Sequence, residues 1–486
     1  MRIARRLSWA LAVVAAGVVV LGGASASASK TPPVGFAAPL YVDQQLAGGE
    51  PEVFADTLHG RLIYTSHEGT THLYRDGLVS SPWGDFSFVS NYCNQVNVWT
   101  SPDHGVNWYR DRYLDSPCPT SPTINTGFSD PDLTQDAGGR VYNTGIDLVN
   151  DALFSSTDGG QTWPQGTANC HDGDRPWLAG GATDQVFMAT DTVEGTLSHQ
   201  IFESTDGGQT CSLTGVPDAG STADGGSYSG DGKLRYWQGK LIEPQVFSDS
   251  NGNLAGVGAG TWRPGETAFT PHFAAKTTLY SHWPALAIDA AGTAYMIWDT
   301  DNRQPGTSGG CGGGLSPAPN RIMLSWSNDF GQTWSTPVAV AAPANARVFW
   351  PWIAAGDAGK ISVVWYQTEP GELADLDCQP AHVHVIEATI LNATSSKRSV
   401  QRVDAAGRAV HDGQVCQGGT TCVATGQDRR LGDYFTNALD ARGCVLIATG
   451  DTMLTDPATG GPYPTARPLF LRQNSGPALR GTNTCS

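Results

Sequence analysis

Acidic, basic and aromatic residues that could do chemistry recur at two positions of a repeated pattern, just before one apolar segment and just after the next. The first position holds Glu50, Asp130, Asp174 with Arg175, His282 with Trp283, Trp350, and Asp433 with Tyr434. The second holds His67 with Glu68, Asp147, Asp191, Glu243, Asp299 with Asp301 and Arg303, Glu369 and Asp451. Carboxylates that meet at one opening raise one another's pKa by repulsion, which supplies proton donors near neutral pH. The same oxygens could bind calcium, and exposed turns favour Asp for its own sake, so these alternatives stay open.

The pattern that carries these residues is a proline or turn, an apolar strand, an Asp/Gly turn and a second apolar strand. Full copies begin at Pro51, Pro131, Pro176, Pro284 and Pro351, and weaker copies lie near Tyr236 and from Gly432. Alternating apolar residues on both sides of a tight turn predict a β-hairpin in each copy. The seven copies therefore predict seven sheets.

A second repeat predicts where the outer strands turn. The stretch STDGGQTW, or a close variant of it, starts at four serines: Ser101, Ser156, Ser204 and Ser327. Its aspartate can accept hydrogen bonds from the turn backbone, and its glycines tolerate positive φ. Because a catalytic residue is needed once, an aspartate that recurs in four repeats is predicted to be structural.

Together the repeats predict an all-β fold, a single β-propeller with seven four-stranded blades; six blades are the alternative. The last repeat has room for three strands, so the early segment FAAPLYVDQ from Phe36 is predicted to complete it and close the ring. The inner strands of a propeller begin at one mouth of the central funnel. We therefore expect the residues named first to meet at that mouth and the glycine-rich turns to lie at the opposite rim.

The first residues of the chain predict export. Arg2, Arg5 and Arg6 precede an apolar run over 7–23, and an Ala-x-Ala cleavage pattern follows without a charged stop-transfer segment. These features are typical of a secretory signal peptide, so we expect 1–28 to be removed. The remaining 29–486 are predicted to be one secreted, extracellular domain with no membrane span.

Ten cysteines fit an exported chain in which thiols are oxidised in pairs. Cys416 and Cys422 could close a small loop, while Cys93 with Cys118 and Cys170 with Cys211 could tie neighbouring strands. The net charge of −17 and the scarcity of lysine exclude a nucleic-acid partner, since phosphate binding needs concentrated positive charge. We expect a monomer that requires no cofactor, with calcium as a possible ligand of its carboxylates.

The four STDGGQTW-like turns are similar to the Asp-box signature, and the chain resembles the Asp-box β-propellers, whose best-known enzymes are sialidases. That resemblance implies an enzyme that acts on glycans through a tyrosine nucleophile, its glutamate base, an aspartate acid and an arginine clamp. Tyr434, in GDYFTNALDARG, matches the position of the tyrosine, and Glu243 is the candidate base. Asp130 or Asp174 would be the acid. An anionic group would be held by Arg175, Arg303 and Arg430.

The first blade departs from the sialidase pattern. The family has Arg-Ile-Pro where this chain has Gly49-Glu50-Pro51, and NYCNQVNVW has no acid where the family has its aspartate. Trp283 and Trp350 would stack on sugar faces, and His282 is either an acid/base or a wall residue. Alternatively, Tyr434 packs between blades.

Arg175 also has two interpretations: it faces the substrate, or it pairs with Asp174 and stacks on Trp177. The chain is thus predicted to be a glycoside hydrolase with an altered site. The alternative is a propeller that binds a glycan or cell-wall component without catalysis, and a structural or protein-interaction role is a third interpretation.

Overall fold

A computed structural model of the chain describes residues 32–67, 72, 74, 96–110, 129–146, 151–163, 173–192, 198–217, 220–222, 225–266, 268–280, 283–301, 319–373, 375–377, 379–419 and 421–486. The predicted signal peptide lies outside these residues. The described part belongs to one compact unit, Pro32–Ser486. It is all-β, with strands in seven sheets and, among the described residues, one short helix.

Each sheet is one blade, numbered here in chain order. Two short strands come first, β1 (Gly35–Phe36) and β2 (Leu40–Tyr41). Blade 1 contains β3 (Glu52–Asp56), β4 (Arg61–Ser66), β5 (Asn97–Ser101) and β6 (Tyr109–Arg110). Blade 2 contains β7 (Ser129–Gln135), β8 (Val141–Ile146) and β9 (Asp151–Ser156). Blade 3 contains β10 (Gly173–Gly180), β11 (Val186–Thr192), β12 (Ser198–Ser204) and β13 (Ser212–Pro217).

The fourth blade is the most elaborate, with β14 (Gly220–Ser221), β15 (Ser227–Gly230), β16 (Arg235–Trp237), β17 (Lys240–Ser248), β18 (Leu254–Trp262) and β19 (Thr270–Lys276). Blade 5 contains β20 (Ala285–Ile288), β21 (Ala294–Asp299), β22 (Ile322–Ser327) and β23 (Val338–Ala341). Blade 6 contains β24 (Val348–Ala355), β25 (Lys360–Thr368), β26 (Ala381–Leu391), β27 (Ser399–Asp404) and β28 (His411–Gly413). Helix α1 (Thr421–Thr425) precedes blade 7, which contains β29 (Thr436–Leu439), β30 (Val445–Asp451) and β31 (Arg467–Ser475).

The seven sheets form a closed ring. Innermost strands contact one another in the cycle β3, β7, β10, β16, β20, β24, β29 and back to β3. The N-terminal strands complete blade 7, because β1 pairs with β31 through Phe36 and Gln473, and β2 pairs with it through Leu40 and Phe470. The predicted seven-bladed propeller and its closure by an early strand are confirmed.

The predicted hairpins are the inner pairs of strands in the blades. All seven are antiparallel, from β3 with β4 to β29 with β30. Apolar side chains from both faces of the sheets fill the spaces between blades, and the largest cluster of buried residues runs through blades 3 to 7. The inner strands therefore hold a fixed set of side chains around the axis.

Four matching turns follow the third strands of blades 1, 2, 3 and 5. In each, the serine hydroxyl donates to the aspartate Oδ1 and accepts the backbone N–H four residues on. The same Oδ1 accepts the N–H of Asn107, Thr162, Thr210 or Thr333 at 2.9 Å. These aspartates are bound to their own turns, which is the structural role predicted for them.

The turn of one blade packs against the preceding blade. Gly159 of blade 2 has a φ of 74°, and a Cβ there would lie 2.8 Å from Cβ of His59 in the β3–β4 turn. Ser101, which starts the turn of blade 1, pairs with Leu62 next to that same β3–β4 turn. The turns thus lie at the end of the ring opposite the start of the inner strands.

One of the predicted disulfides can be checked among the described residues. Cys416 and Cys422 form the predicted disulfide, and Cys444 bonds Cys485, a pair that the sequence did not indicate. The other two predicted pairs include residues outside the described part. No helix in the described part of the chain is long and apolar enough to cross a membrane.

Candidate active site

The mouth of the propeller is the end of the ring where the inner strands begin and the second strands end. Four residues there have a left-handed backbone although none is glycine: Glu50, Asp130, Arg175 and Trp350, with φ between 47° and 55°. Each precedes a proline, which normally keeps its neighbour extended. In three of the four blades the strand register also shifts at this point. Such strain persists only where the surroundings hold it, and it re-aims the side chain.

Carboxylates hold three of these four strained residues by their backbone N–H groups. The N–H of Asp130 donates to Oε2 of Glu50 at 3.1 Å, and the N–H of Trp350 donates to Oδ2 of Asp299 at 3.2 Å. The N–H of Arg175 donates to Oδ1 of its neighbour Asp174 at 3.0 Å. The strand starts are therefore fixed by acids that the sequence pattern had placed at this mouth.

Glu50 is the centre of the buried part of the mouth. Its Oε2 also accepts the hydroxyl of Ser129 at 3.2 Å, while Oε1 accepts the N–H of Asp433 at 3.0 Å. Nε2 of His72 lies 2.9 Å from Oε1. Burial alone would raise the pKa of Glu50, but the charge and hydrogen bond of His72 lower it to about 2. Glu50 is thus an anion that organises blades 1, 2 and 7.

Two neighbours complete the surroundings of Glu50. The ring of His67 stacks on that of His72 with centroids 4.1 Å apart, and burial lowers the pKa of His67 well below its usual value. Gly432, with a φ of 78°, lets the chain of blade 7 approach closely, since a Cβ there would lie 2.2 Å from Cγ of Glu50. The sequence pattern did not indicate His72.

Asp130 is a buried acid of this mouth with a raised pKa. Burial raises its pKa well above the ordinary value, and the charges of Glu50, Asp174 and Asp433, together with a hydrogen bond to the Asp174 side chain, raise it further. Asp174 itself is exposed. The buried carboxyl group with the raised pKa is therefore hydrogen-bonded to a side chain that solvent can reach.

Arg175 is the partly buried cation beside this carboxyl pair. Its guanidinium lies 5.0 Å from the centre of the Trp283 ring and 3.5 Å from Oδ1 of Asp231. Burial lowers its pKa, but the charges of Asp231 and Asp174 outweigh that effect and the pKa is raised. The sequence offered stacking of Arg175 on Trp177 as one interpretation, but the guanidinium stacks on Trp283 instead. Trp177 packs edge-on against Trp283, with ring centres 5.6 Å apart.

The second arginine of the mouth is Arg429, which the sequence pattern missed in favour of its neighbour Arg430. Arg429 makes two hydrogen bonds of 2.7 Å to the carboxylate of Asp433. Arg430 is bound to Asp428 through Nε at 2.9 Å and through NH2 at 2.5 Å, and both side chains are buried. The charge of Arg430 is thus neutralised within the protein, which removes it from the predicted anion clamp.

A His–carboxylate chain joins blades 3 and 4 at the mouth. Nδ1 of His199 lies 2.6 Å from Oδ1 of Asp191, and Nε2 lies 2.8 Å from Oε1 of Glu243. Burial raises the pKa of Asp191, but the hydrogen bond and charge of His199 bring it below the ordinary value. Glu243 is fully buried in this chain of contacts. His199 lies on a third strand, where the repeat pattern gave no signal.

Tyr434 belongs to an aromatic plug on the axis. Its ring centre lies 5.2 Å from that of Trp177, 6.2 Å from that of Trp283 and 5.9 Å from that of Trp352. Its hydroxyl donates to the carbonyl of Pro131 at 2.7 Å, and burial raises its pKa well above 10.

The predicted contact between Tyr434 and Glu243 is not made, because each is bound elsewhere: the tyrosine hydroxyl to blade 2 and the glutamate to His199. Trp283 and Trp350 are 6 % and 3 % exposed, so neither offers an open ring face for a sugar. His282 and Arg303, the remaining predicted site residues, lie outside the described residues.

Below the mouth, a buried lysine ties three blades together. Nζ of Lys233, between β15 and β16, lies 2.5 Å from Oε1 of Glu52 in blade 1 and 2.6 Å from Oδ1 of Asp132 in blade 2. Burial and the charge of Asp132 raise the pKa of Glu52 despite the lysine. The ion triad spans the axis and supports the floor of the site.

No family model and no curated protein sequence matches this chain. Solved structures do match. A protein of unknown function from Dyadobacter fermentans aligns with 90 % of this chain and 97 % of its own, at 11 % identity and a TM-score of 0.43. An ulvan lyase that represents a new polysaccharide lyase family aligns over 93 % and 96 %, at 11 % and 0.43, and a Hadza microbial sialidase over 78 % and 73 %, at 12 % and 0.40. At these identities and TM-scores the matches carry no argument about the reaction of this chain.

Proposed function

We propose that this chain is a secreted propeller enzyme that hydrolyses glycosidic bonds, with the carboxyl pair of Asp130 and Asp174 as its proton donor. The observation that carries the proposal is that the buried carboxyl group of Asp130, whose pKa is raised, is hydrogen-bonded to the exposed side chain of Asp174 at a strained strand start. Because burial and the neighbouring acids raise the pKa of Asp130 well above its ordinary value, this side chain holds its proton to a higher pH than an exposed carboxyl group does. Cleavage of a glycosidic bond needs such a donor at the leaving oxygen.

The second carboxylate of a glycosidase would lie on the other side of Arg175. Asp191 and Asp231 meet this requirement in part, since their side chains are 34 % and 16 % exposed and both act on the charge of Arg175. Either one can receive a proton from water or attack the sugar in a hydrolysis with two carboxyl groups. The buried hydroxyl of Tyr434 has no part in this proposal.

The charge balance of the mouth favours a neutral or cationic sugar. Arg175 is surrounded by the charges of four aspartates, namely Asp231, Asp174, Asp433 and Asp191. Arg429 is paired with one of these, and Arg430 is paired with Asp428. The carboxylate of a sialic acid would meet net negative charge here, which costs binding energy. We therefore propose a substrate without a carboxylate at the reacting sugar.

Aryl glycosides test the proposal directly. The secreted chain should cleave at least one neutral or amino-sugar glycoside from a panel that also contains a sialoside. Asp130→Asn and Asp174→Asn should each lower kcat/KM by about 100-fold or more, the range that a positioned acid contributes. Asp301→Asn, at another mouth position, serves as the matched control. Turnover that both substitutions leave unchanged would contradict the assignment.

A glycan-binding propeller without catalysis is the second candidate. It is favoured by the Tyr434 hydroxyl, which is bound to the carbonyl of Pro131, and by the internal contacts of the Glu50, Asp433 and Glu243 carboxylates. In that case no glycoside of the panel is cleaved, yet an immobilised glycan is retained and Arg175→Ala abolishes its retention.

A further inference from the structure

Two histidines two residues apart lie on one face of β26, at the mouth end of blade 6. Side chains at such a spacing point to the same side of a strand. His382 and His384 face the turn after β25, which carries Glu369 and Glu372. One ligand atom each from Glu369, Glu372 and His382 lies within 4.8 Å of the others. His384 adjoins these three residues through Glu369, and we call the four residues the blade 6 cluster.

One distance within the cluster suits two ligands of a bound ion better than it suits a hydrogen bond. Nε2 of His384 lies 3.4 Å from Oε1 of Glu369, which is long for a hydrogen bond. Two ligands at about 2.0–2.1 Å from a tetrahedral zinc ion are about 3.3 Å apart. Nδ1 of His382 lies 2.8 Å from Oε1 of Glu372, so this pair needs to separate by about 0.5 Å.

A further carboxylate orients one of the histidines. Nδ1 of His384 lies 2.8 Å from Oδ2 of Asp404. A carboxylate at one ring nitrogen holds the proton there and leaves the lone pair on the other, the arrangement usual for metal-bound histidine. The free lone pair of His384 is thus on Nε2, the atom that faces Glu369.

The backbone holds the cluster in place before any ion binds. The N–H of Glu369 donates to the carbonyl of His382 at 3.1 Å, and the N–H of His382 donates to Oε2 of Glu372 at 2.9 Å. The hydroxyl of Thr368 donates to the carbonyl of Glu372 at 2.7 Å. The turn and the strand are therefore already in register, which lowers the ordering cost of binding.

We propose that the blade 6 cluster binds one divalent transition-metal ion of the zinc type. Two imidazoles and two carboxylates match the ligands of Zn²⁺ and balance its charge. Calcium prefers six to eight oxygen ligands, so two imidazoles disfavour it. The bound ion ties the turn after β25 to β26 and is separate from the carboxyl pair of the candidate active site.

Competition against a chromophoric zinc chelator tests the proposal on the whole mature chain after removal of metals. We expect one Zn²⁺ per chain, with calcium unable to displace it. His382→Gln and His384→Gln should each weaken zinc binding by about 100-fold, and Asp404→Asn by about 10-fold through the orientation of His384. His272→Gln, a partly buried histidine of β19, is the matched control and should leave binding unchanged.

Partial exposure of the cluster side chains means that these substitutions should not disturb folding. The metal-free variants should accordingly unfold at the same temperature as the metal-free parent. X-ray absorption spectra of the zinc bound to the parent should show two imidazole ligands. Absence of stoichiometric zinc binding, binding that survives the double His382→Gln, His384→Gln substitution, or tighter binding of calcium would each overturn the proposal.

Discussion

The two ends of the propeller use aspartate in opposite ways. At the far rim the side chains of Asp103, Asp158, Asp206 and Asp329 accept hydrogen bonds from their own turns, and their pKa values are lowered. At the mouth Asp130 is buried among other carboxylates, and its pKa is raised. The rim environment recurs from blade to blade, whereas the environment of Asp130 is made once. The comparison indicates that an aspartate whose surroundings recur in several blades has a structural role. An aspartate whose surroundings occur in one blade is the better candidate for chemistry.

The largest effect is expected from the buried lysine that breaks the repeat below the mouth. Lys233→Met leaves Glu52 and Asp132 buried without their cation. Loss of one partner from a buried ion pair typically costs about 3–5 kcal/mol, so we expect a loss of that size in the free energy of unfolding. Denaturant unfolding measures it. Lys360→Met at the rim, where the lysine pairs with the partly exposed Asp357, should cost less than about 1 kcal/mol; equal losses would contradict the distinction.

Asp130→Asn should separate activity from stability. The folded chain keeps Asp130 protonated at pH values where the unfolded chain ionises it, so this residue favours the unfolded state as pH rises above the ordinary pKa. Asparagine cannot ionise, so the substitution removes this pH-dependent loss of stability, and it also removes the proposed proton donor. At pH 7 we expect kcat/KM to fall by about 100-fold or more while the unfolding temperature is kept or raised. A variant that is both less stable and fully active would refute this role.

The rim aspartates should behave in the reverse manner. Asp158→Ala removes the acceptor of the Ser156 hydroxyl and of the Thr162 N–H and hydroxyl. We expect a loss of about 1 kcal/mol in the free energy of unfolding, because these bonds compete with water, and no change in kcat/KM. Asp206→Ala removes the same bonds in the next blade and should give a similar value. Strongly unequal losses would show that the turns are not equivalent.

The fold could be predicted from the sequence because its signals are local and repeated. A period-2 apolar hairpin and a turn that needs Asp and Gly are both set by neighbouring residues, so the blades and the closing strand followed from counting. The positions of Asp130, Asp174 and Arg175 at the mouth followed from the same count.

The partners of these residues could not be predicted in the same way. At Asp130 and Arg175 a positive φ before proline turns the side chain away from the direction that strand alternation implies. Contact between Tyr434 and Glu243 would need blades 7 and 4 to meet across the axis, where the aromatic plug and Lys233 lie instead. The sequence could have indicated Asp231, because it precedes the weak copy of the hairpin near Tyr236 just as the other mouth acids precede their hairpins.

The smallest expected effect is a difference in the pH dependence of stability between the two ends. Asp206 has its pKa lowered to about 2, so its contribution is complete above the ordinary pKa near 3.9 and is lost as the pH falls towards 2. The stability difference between the parent and Asp206→Asn should therefore shrink between about pH 5 and pH 2.

For Asp130→Asn the pH dependence has the opposite sign. Because the pKa of Asp130 is raised in the folded parent, the parent loses stability relative to the variant as the pH rises above the ordinary value of about 3.9. Denaturant unfolding at a series of pH values measures both slopes. Two curves with the same sign would mean that the mouth and the rim do not differ in how they hold a proton.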